Sequence, residues 1–235
     1  KPEHELRAEG IASSVVVFGS ARILCREAAQ ERLAALAGRA ADGCADPHSA
    51  DEEALARRRL EQARYYEEAR RFARMVSSRF QREGRRDFVV VTGGGPGIME
   101  AANRGAFEAG ARSIGLNITL PHEQAPNPFI SPELAFRFHY FALRKMHFLL
   151  RARALVAFPG GYGTLDELFE VLTLVQTGKM ARIPIVLVGS EFWHRAVDFD
   201  YLVEEGFVSA ADLRLFTRVD TAEESVAVLE AFYGG

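Results

Sequence analysis

Short runs of apolar residues alternate with amphipathic stretches along most of the chain. Six of the runs have the length of a strand, and several lack the apolar–polar alternation of a half-exposed strand. They are Val15–Phe18, Phe88–Val91, Ser113–Ile118, Ala154–Phe158, Pro184–Val188 and Arg214–Val219. Continuous apolar runs of this kind are typical of strands covered on both faces, so the pattern predicts a sheet buried between two layers.

Between these runs, apolar residues recur every three or four positions, as they do on one face of a helix. Two such series are Tyr65, Ala69, Phe72, Val76 and Phe80, and Leu165, Leu168, Phe169, Leu172 and Val175. Thr221 and Glu224 have the spacing of a capping box at the start of the last helix. Strands that alternate with helices predict an α/β fold with a doubly wound parallel sheet flanked by helices.

The segment from Arg26 to about Gln62 differs from the rest of the chain. It is rich in Ala, Arg and Glu, and Pro47 and His48 interrupt it near its middle. It predicts two helical pieces joined by a loop, forming a solvated helical insertion near the N-terminus, with a regulatory or partner-binding surface as the alternative. We find no internal repeat or clear linker, so residues 1–235 are expected to form a single domain.

Composition narrows the possible functions. With 235 residues, 48% hydrophobic and 26% charged, the chain has the values of a globular domain. Its formal net charge of -3 indicates no general affinity for polyanions, so no nucleic-acid partner is expected and a phosphate must be bound by a local site. No run approaches the roughly 20 apolar residues that span a bilayer, and Lys1–Gly10 is too polar for a signal peptide. We therefore expect a cytoplasmic protein without a membrane partner.

The residue types that bind metals are sparse. Cys25 and Cys44 form no CxxC pair, and two free thiols are favoured over a disulfide. The six histidines show no paired ligand spacing. Neither a metal nor a cofactor is expected, and Trp193 is predicted to lie in the core or in an interface.

Two glycine-rich segments follow the first two predicted strands. Phe18–Arg22 reads Phe-Gly-Ser-Ala-Arg, and on its own it is equally compatible with a plain strand-to-helix turn. Thr92–Glu100 contains three adjacent glycines before a helix, where backbone N–H groups form a ready anion site. It lacks the Lys-Ser or Lys-Thr of a Walker loop, so a nucleoside triphosphate site of that type is not indicated.

A third glycine-rich segment lies between the strand Ala154–Phe158 and an amphipathic helix. Three glycines and a threonine in Gly160–Thr164 offer several donors to one phosphate at the helix N-terminus. Asp166 and Glu167 are predicted in the first helical turn. Either they complement the helix dipole, or, because a phosphate repels a nearby carboxylate, they act one sugar away from it.

A basic pair precedes the same strand. Arg144 and Lys145 are adjacent on a predicted helix and therefore point to different sides of it. Arg144 can bind a carboxylate, a base or a phosphate in fixed geometry, although a solvated surface pair is the simpler interpretation. Because open parallel sheets bind ligands beyond the carboxyl ends of their strands, we interpret the four segments as one site.

The segments Gly93–Glu100 and Pro159–Glu167 resemble the two signature motifs of the LONELY GUY family, which contains cytokinin riboside 5'-monophosphate phosphoribohydrolases long labelled possible lysine decarboxylases. Arg144-Lys145 matches the Arg-Lys pair of that family, and Leu174–Lys179 and Glu205–Val208 look like its larger bacterial branch. The resemblance covers most of the chain, whereas the insertion departs from the compact members.

This resemblance implies a Rossmann-like fold, a homodimer with its active site close to the interface, and hydrolysis of AMP or a cytokinin riboside 5'-monophosphate to free base and ribose 5-phosphate. It implies that Arg144 and Glu167 are the catalytic pair. Further positions are expected to bind the substrate: Ser20, Gly94, Gly95, Gly97, Met99, Glu123, Lys145, Gly160, Gly161, Tyr162, Gly163, Thr164, Leu165, Asp166 and Thr173.

Other functions remain open at this point. A broad purine or pyrimidine nucleotide nucleosidase would share all of these residues, whereas a nucleotide or molybdenum-cofactor carrier would not require both Arg144 and Glu167. Lysine decarboxylation would need pyridoxal phosphate on a lysine, and neither Lys145 nor Lys179 lies in a recognisable context for that cofactor.

Overall fold

A computed structural model describes residues 2–41, 49–82, 84–119 and 125–234. Its strands are β1 (Ser14–Phe18), β2 (Gln81–Arg82), β3 (Arg85–Arg86), β4 (Val89–Thr92), β5 (Ser113–Ile118), β6 (Ala135–Phe138), β7 (Ala152–Ala157), β8 (Ile185–Val188) and β9 (Phe216–Val219). Its helices are α1 (Pro2–Ala8), α2 (Arg26–Ala41), α3 (Ser49–Phe80), α4 (Ile98–Glu108), α5 (Phe141–Leu149), α6 (Tyr162–Gln176), α7 (Ser190–Ala196), α8 (Phe199–Glu204) and α9 (Ala222–Tyr233).

Seven of the strands form one sheet in the order β6-β5-β4-β1-β7-β8-β9, and each neighbouring pair in it is parallel. The chain builds outward from β1 to β6 on one side and then returns to add β7, β8 and β9 on the other. The strand order therefore reverses at β1, between β4 and β7. In such sheets the ligand crevice lies at this switch point, beyond the carboxyl ends of the strands.

The sheet is covered on both faces, which confirms the predicted α/β doubly wound fold. Alternate strand residues enter two separate cores because successive side chains point to opposite faces. Val15 and Val17 face α3, α4 and α9, whereas Val16 and Phe18 face α5, α6, α7 and α8. This two-sided burial explains why the strands appear in the sequence as continuous apolar runs.

The structure corrects the predicted strands of the seven-stranded sheet at two places, and it adds the short hairpin of β2 and β3, which was not predicted. Strand β6 was not predicted, because Ala-Phe-Arg-Phe is short and alternates apolar with polar residues at the sheet edge. The run Arg214–Val219 is only partly a strand, since a 3-10 turn occupies Asp212–Leu215 before β9 begins. The buried Trp193, whose indole N–H donates to the Val188 carbonyl at 3.0 Å, confirms its predicted place in the core.

The N-terminal insertion takes the form of a long helical arm. Helix α2 packs along α3, and α3 continues without a break through the predicted helix ending at Phe80. Arg39 and Glu52 form an ion pair of 3.5 Å between the two helices. The predicted break at Pro47 and His48, like Cys44, lies outside the described residues, whereas Cys25 is a free, half-buried thiol.

The capping box predicted at the start of α9 is confirmed, with Thr221 and Glu224 each bonded to the backbone of the other. Among the helices that the structure describes, none has both the length and the apolar character needed to span a bilayer.

Candidate functional site

The loops that follow β1, β4 and β7 meet at the switch point of the sheet. The Ser20 N–H donates to the Pro159 carbonyl at 3.0 Å, and the Ile98 N–H donates to the Ser20 carbonyl at 3.1 Å. Ser20 therefore joins the loop after β1 to both neighbouring loops. Gly97, with φ 69, packs so tightly on the backbone of Ser20 and Ala21 that a Cβ would collide with it.

The glycine loop after β4 makes most of its contacts with other residues of the protein, which leaves little of it free to bind a ligand. Gly94 adopts φ 74 and packs against Asn117, while its carbonyl accepts from both the backbone and the side chain of Asn127. The same Asn127 amide also donates to the Gly95 carbonyl, at 3.1 Å. Close packing and left-handed backbone therefore account for Gly94 and Gly97, while Gly93 and Met99 of this segment line a cleft.

At the start of α6, by contrast, glycines are not packed against other atoms. Gly161 is its N-cap, and the Thr164 N–H makes the first bond within the helix, to the Gly161 carbonyl at 3.0 Å. The amides of Tyr162 and Gly163 precede that bond and so point out of the helix end. A Cβ at Gly161 or Gly163 would meet no atom within 4 Å, and Gly161, Tyr162 and Gly163 are exposed and line a cleft, so this end of the helix is open.

Glu167, like Asp166, lies in the second turn of α6, and not in the first as predicted, because the helix already begins at Tyr162. Its side chain is buried. Burial raises the pKa of Glu167 to about 7; the charges of Lys145 and Arg144 oppose this rise, and those of Glu170 and Asp166 add to it. A carboxyl group of this kind changes its charge near neutral pH.

Arg144 approaches Glu167 from α5 in a fixed orientation. Its Nε donates to the Leu116 carbonyl at 2.7 Å, and its guanidinium lies 5.0 Å from the centre of the Phe148 ring. Gly93 leaves the space that the guanidinium occupies, since a Cβ there would collide with Arg144 Nη2. Burial lowers the pKa of Arg144, against the opposing effect of the Glu167 charge.

Lys145 points to the other side of α5, as the sequence predicts. Its Nζ lies 2.7 Å from Asp166 Oδ2 and 3.2 Å from Glu170 Oε2. The two ion pairs connect α5 to α6 on either side of Glu167. Lys145 is thereby committed to protein carboxylates, and it does not line the cleft.

A cleft of ≈ 590 Å³ opens between the loop after β1, the start of α6 and α5. It brings together ten of the residues that the sequence singled out: Ser20, Met99, Arg144, Gly161, Tyr162, Gly163, Thr164, Leu165, Asp166 and Glu167. Its remaining lining residues were not singled out as individual contacts: Phe18, Gly19, Ala21, Arg22, Gly93 and Phe141. All but Phe141 belong to the segments Phe18–Arg22 and Thr92–Glu100, which the sequence assigned to the same site, and Phe141 begins the helix that carries Arg144.

Other expected substrate contacts lie away from this cleft. Gly94, Gly95 and Gly97 serve the packing described above, and Gly160 faces Thr164 and lines a neighbouring cleft. Thr173 is exposed on α6, with its hydroxyl bonded to the Phe169 carbonyl at 2.7 Å. Glu123 lies outside the described residues. Within residues 2–41, 49–82, 84–119 and 125–234, His, Cys, Asp and Glu side chains form no group of three or more that could hold a metal ion.

Comparison with known proteins places this chain in a family. The model of a family described as possible lysine decarboxylase matches residues 99–229, more than half of the chain. A cytokinin riboside 5'-monophosphate phosphoribohydrolase of Arabidopsis thaliana is 30% identical over 152 residues, which cover 63% of this chain and 68% of the plant protein. A probable enzyme of the same name from Oryza sativa subsp. japonica is 29% identical over 153 residues, with 61% and 68% covered.

Solved structures with the same fold cover nearly the whole chain. The X-ray structure of the structural-genomics target TM1055 superposes with a TM-score of 0.57 at 21% identity, covering 93% of this chain and 99% of the other. The molybdenum cofactor binding protein of the phototrophic bacterium Rippkaea orientalis has a TM-score of 0.51 at 15% identity, with 94% and 95% covered. At these identities the likeness concerns the fold alone.

The residues that the family model matches include the whole of α6. The chain belongs to the family described as possible lysine decarboxylase, the LONELY GUY family.

Proposed function

We propose that this protein hydrolyses the N-glycosidic bond of nucleoside 5'-monophosphates, AMP or a cytokinin riboside 5'-monophosphate, to free base and ribose 5-phosphate. One observation carries the proposal: the open amides that begin α6 and the buried carboxyl of Glu167 belong to the same two turns of one helix. Four to five residues of helix separate them by about 6–7.5 Å along its axis, which is comparable to the span of a ribose 5-phosphate.

The phosphate would bind at the start of α6. The amides of Tyr162 and Gly163 and the positive end of the helix dipole supply donors and partial charge for an anion. Thr164, whose side chain lies against Gly160, adds a hydroxyl at the cleft wall. Binding energy from this end of the substrate positions the sugar without taking part in the bond cleavage.

The sugar would then lie over Glu167. Breaking the bond between ribose and base develops positive charge on the ribose, as in other glycoside cleavage. The ionised Glu167 carboxylate would stabilise this charge or activate the attacking water. Arg144, held by the Leu116 carbonyl, would orient Glu167 and help the base to leave.

The proposed substrate contacts are the cleft-lining residues of the expected set. Ser20, Met99 and Tyr162–Asp166 surround the open volume next to Glu167. Lys145 would act by holding Asp166 and Glu170 in place. A broad nucleotide nucleosidase would use the same residues, and initial rates with AMP, GMP, CMP and isopentenyl-AMP separate that function from a cytokinin-specific one.

The two lysines that the structure describes give no support to the family label of lysine decarboxylase. Lys145 is engaged by two carboxylates, and Lys179 is exposed after the end of α6. A Schiff-base lysine needs an unprotonated amine, which paired carboxylates disfavour.

We further propose that two copies associate through the apolar face of α5, next to the cleft. This helix and the residues at its ends expose large apolar side chains that a solvated surface helix would not carry, and Phe141 among them also lines the cleft. They are Tyr140, Phe141, Leu143, Met146 and Leu150, each about half exposed or more.

Incubation of AMP with the protein, followed by liquid chromatography, should show release of adenine. Glu167→Gln should still fold and bind AMP, and it should lower kcat by about 10²–10⁴-fold because the carboxylate is lost. Glu204→Gln, an exposed residue of α8, is the matched control and should retain wild-type rates. Near-normal turnover by Glu167→Gln would remove this residue from the mechanism.

The pKa of Glu167 predicts opposite pH dependences of activity and stability. Because the pKa is about 7 in the folded chain against 4.5 ordinarily, folding favours the protonated form. The free energy of unfolding should therefore fall as pH rises through 4.5 to 7, by about 1–3 kcal/mol. Over the same window kcat/KM should rise as the carboxylate forms.

Denaturant unfolding of wild type and Glu167→Gln between pH 5 and pH 8 measures this contribution. The variant should lack this part of the pH dependence. If the free energy of unfolding changed with pH equally in the two proteins, the raised pKa of Glu167 would be contradicted.

Gly163→Ala should separate a ligand role for this glycine from a packing role. The position is helical with open space around it, so the variant should fold and gain up to about 1 kcal/mol of stability. Its methyl group should obstruct the phosphate and raise the KM for AMP about tenfold or more. Gly97→Ala is the contrast, because its clash and positive φ should lower stability. Unchanged AMP kinetics in Gly163→Ala would place the phosphate elsewhere.

Light scattering after size-exclusion chromatography tests the proposed dimer. Wild type should elute with twice the chain mass of 26.0 kDa, and Met146→Glu should shift towards the monomer. Leu55→Glu places the same charge on an exposed leucine of α3 and should leave the mass unchanged. A monomeric wild type would show that the face of α5 serves another purpose.

A further inference from the structure

Arg22 stands at the edge of the cleft without a counter-charge. It is exposed, lines the cleft together with Gly161–Thr164, and forms no ion pair with any residue that the structure describes. An arginine in this position carries a full positive charge and five N–H donors into the solvent next to the start of α6. The family motifs quoted above do not include it.

The backbone at Arg22 is fixed although its side chain is free. The Arg22 N–H donates to Ser20 Oγ at 3.1 Å, which closes a tight turn. Ser20 in turn is bonded to Pro159, in the loop before α6, and to Ile98, at the start of α4. The stem of the side chain therefore starts from an anchored point between the two glycine loops.

Two further cations near the cleft already have partners within the protein. Arg144 is half-buried, bonded to the Leu116 carbonyl and next to Glu167, so it belongs to the sugar and base end. Lys145 bridges Asp166 and Glu170. A phosphate carrying about two negative charges would meet only about half a positive charge from the helix terminus. A further cation at this end would offset more of the phosphate charge, and a guanidinium suits this task because it binds phosphate oxygens in pairs.

We propose that Arg22 binds the 5'-phosphate of the substrate from the side opposite the α6 amides and thereby determines the preference for nucleoside 5'-monophosphates over nucleosides. This inference rests on the proposed function, because it assigns the end of the cleft where the phosphate binds. Ser20 then has a second task, since its hydroxyl oxygen sets the turn from which Arg22 extends.

Binding of ribose 5-phosphate, measured by isothermal titration calorimetry, tests Arg22 without any turnover. Arg22→Gln should raise the Kd roughly tenfold, Arg22→Lys should lie between, and the loss should shrink at high salt. Arg74→Gln, an exposed arginine in the middle of α3, is the matched control and should bind like wild type. Adenosine, which lacks the phosphate, should bind equally to all four proteins.

Steady-state kinetics with AMP supply the second readout. Because Arg22 would contact the phosphate equally in the ground state and the transition state, Arg22→Gln should raise KM about tenfold and change kcat by less than about threefold. Thermal unfolding should be unchanged, since the side chain is exposed. A Kd for ribose 5-phosphate within twofold of wild type, or a loss confined to kcat, would overturn the proposal.

The same measurements distinguish the two proposals. If wild type binds ribose 5-phosphate but releases no adenine from AMP, the proposed reaction is wrong, and the comparison of variants still decides the role of Arg22. If wild type binds neither AMP nor ribose 5-phosphate, both proposals are wrong.

Discussion

The first two turns of α6 set the distance between an anion-binding helix end and a buried carboxyl group. A helix holds residues at fixed separations, so the open amides of Tyr162 and Gly163 cannot move relative to Glu167 without unwinding it. Burial keeps the carboxyl in a medium that disfavours its charge, and the nearby Arg144 and Lys145 offset part of this cost. The rest of the site is arranged around this rigid unit.

The fold supplies the surroundings of α6 through its strand order. The reversal at β1 brings the loops after β1, β4 and β7 to one place, and the two hydrogen bonds of Ser20 hold them together. Helix α5 places Arg144 beside Glu167, and the next residue, Lys145, forms the ion pairs that link α5 to α6. Buried on both faces, the sheet is a stiff base for these loops, which suits a site that depends on fixed spacing.

Periodicity predicted most of the fold because two-sided burial leaves a clear mark on the sequence. The central strands are continuous apolar runs, whereas the edge strand β6 alternates apolar with polar residues and was not predicted.

The motifs likewise predicted which segments meet, but not the structural role of each glycine. Gly94 and Gly97 have positive φ angles and pack too closely for a side chain, whereas Gly161 and Gly163 have open space around them. The sequence shows glycine at all four positions and does not distinguish these roles. Such differences depend on atoms far away in the chain, for example Asn117 beside Gly94. The Leu116 carbonyl that holds Arg144 leaves no side-chain signal at all.

A crystal structure of the Glu167→Gln protein with AMP bound tests the central claim most directly, because the slow variant preserves the intact nucleotide. The account predicts phosphate oxygens within hydrogen-bond distance of the Tyr162 and Gly163 amides, with the anomeric carbon of the ribose facing residue 167. A phosphate bound at another place in the molecule, or a ribose turned away from that side chain, would contradict it.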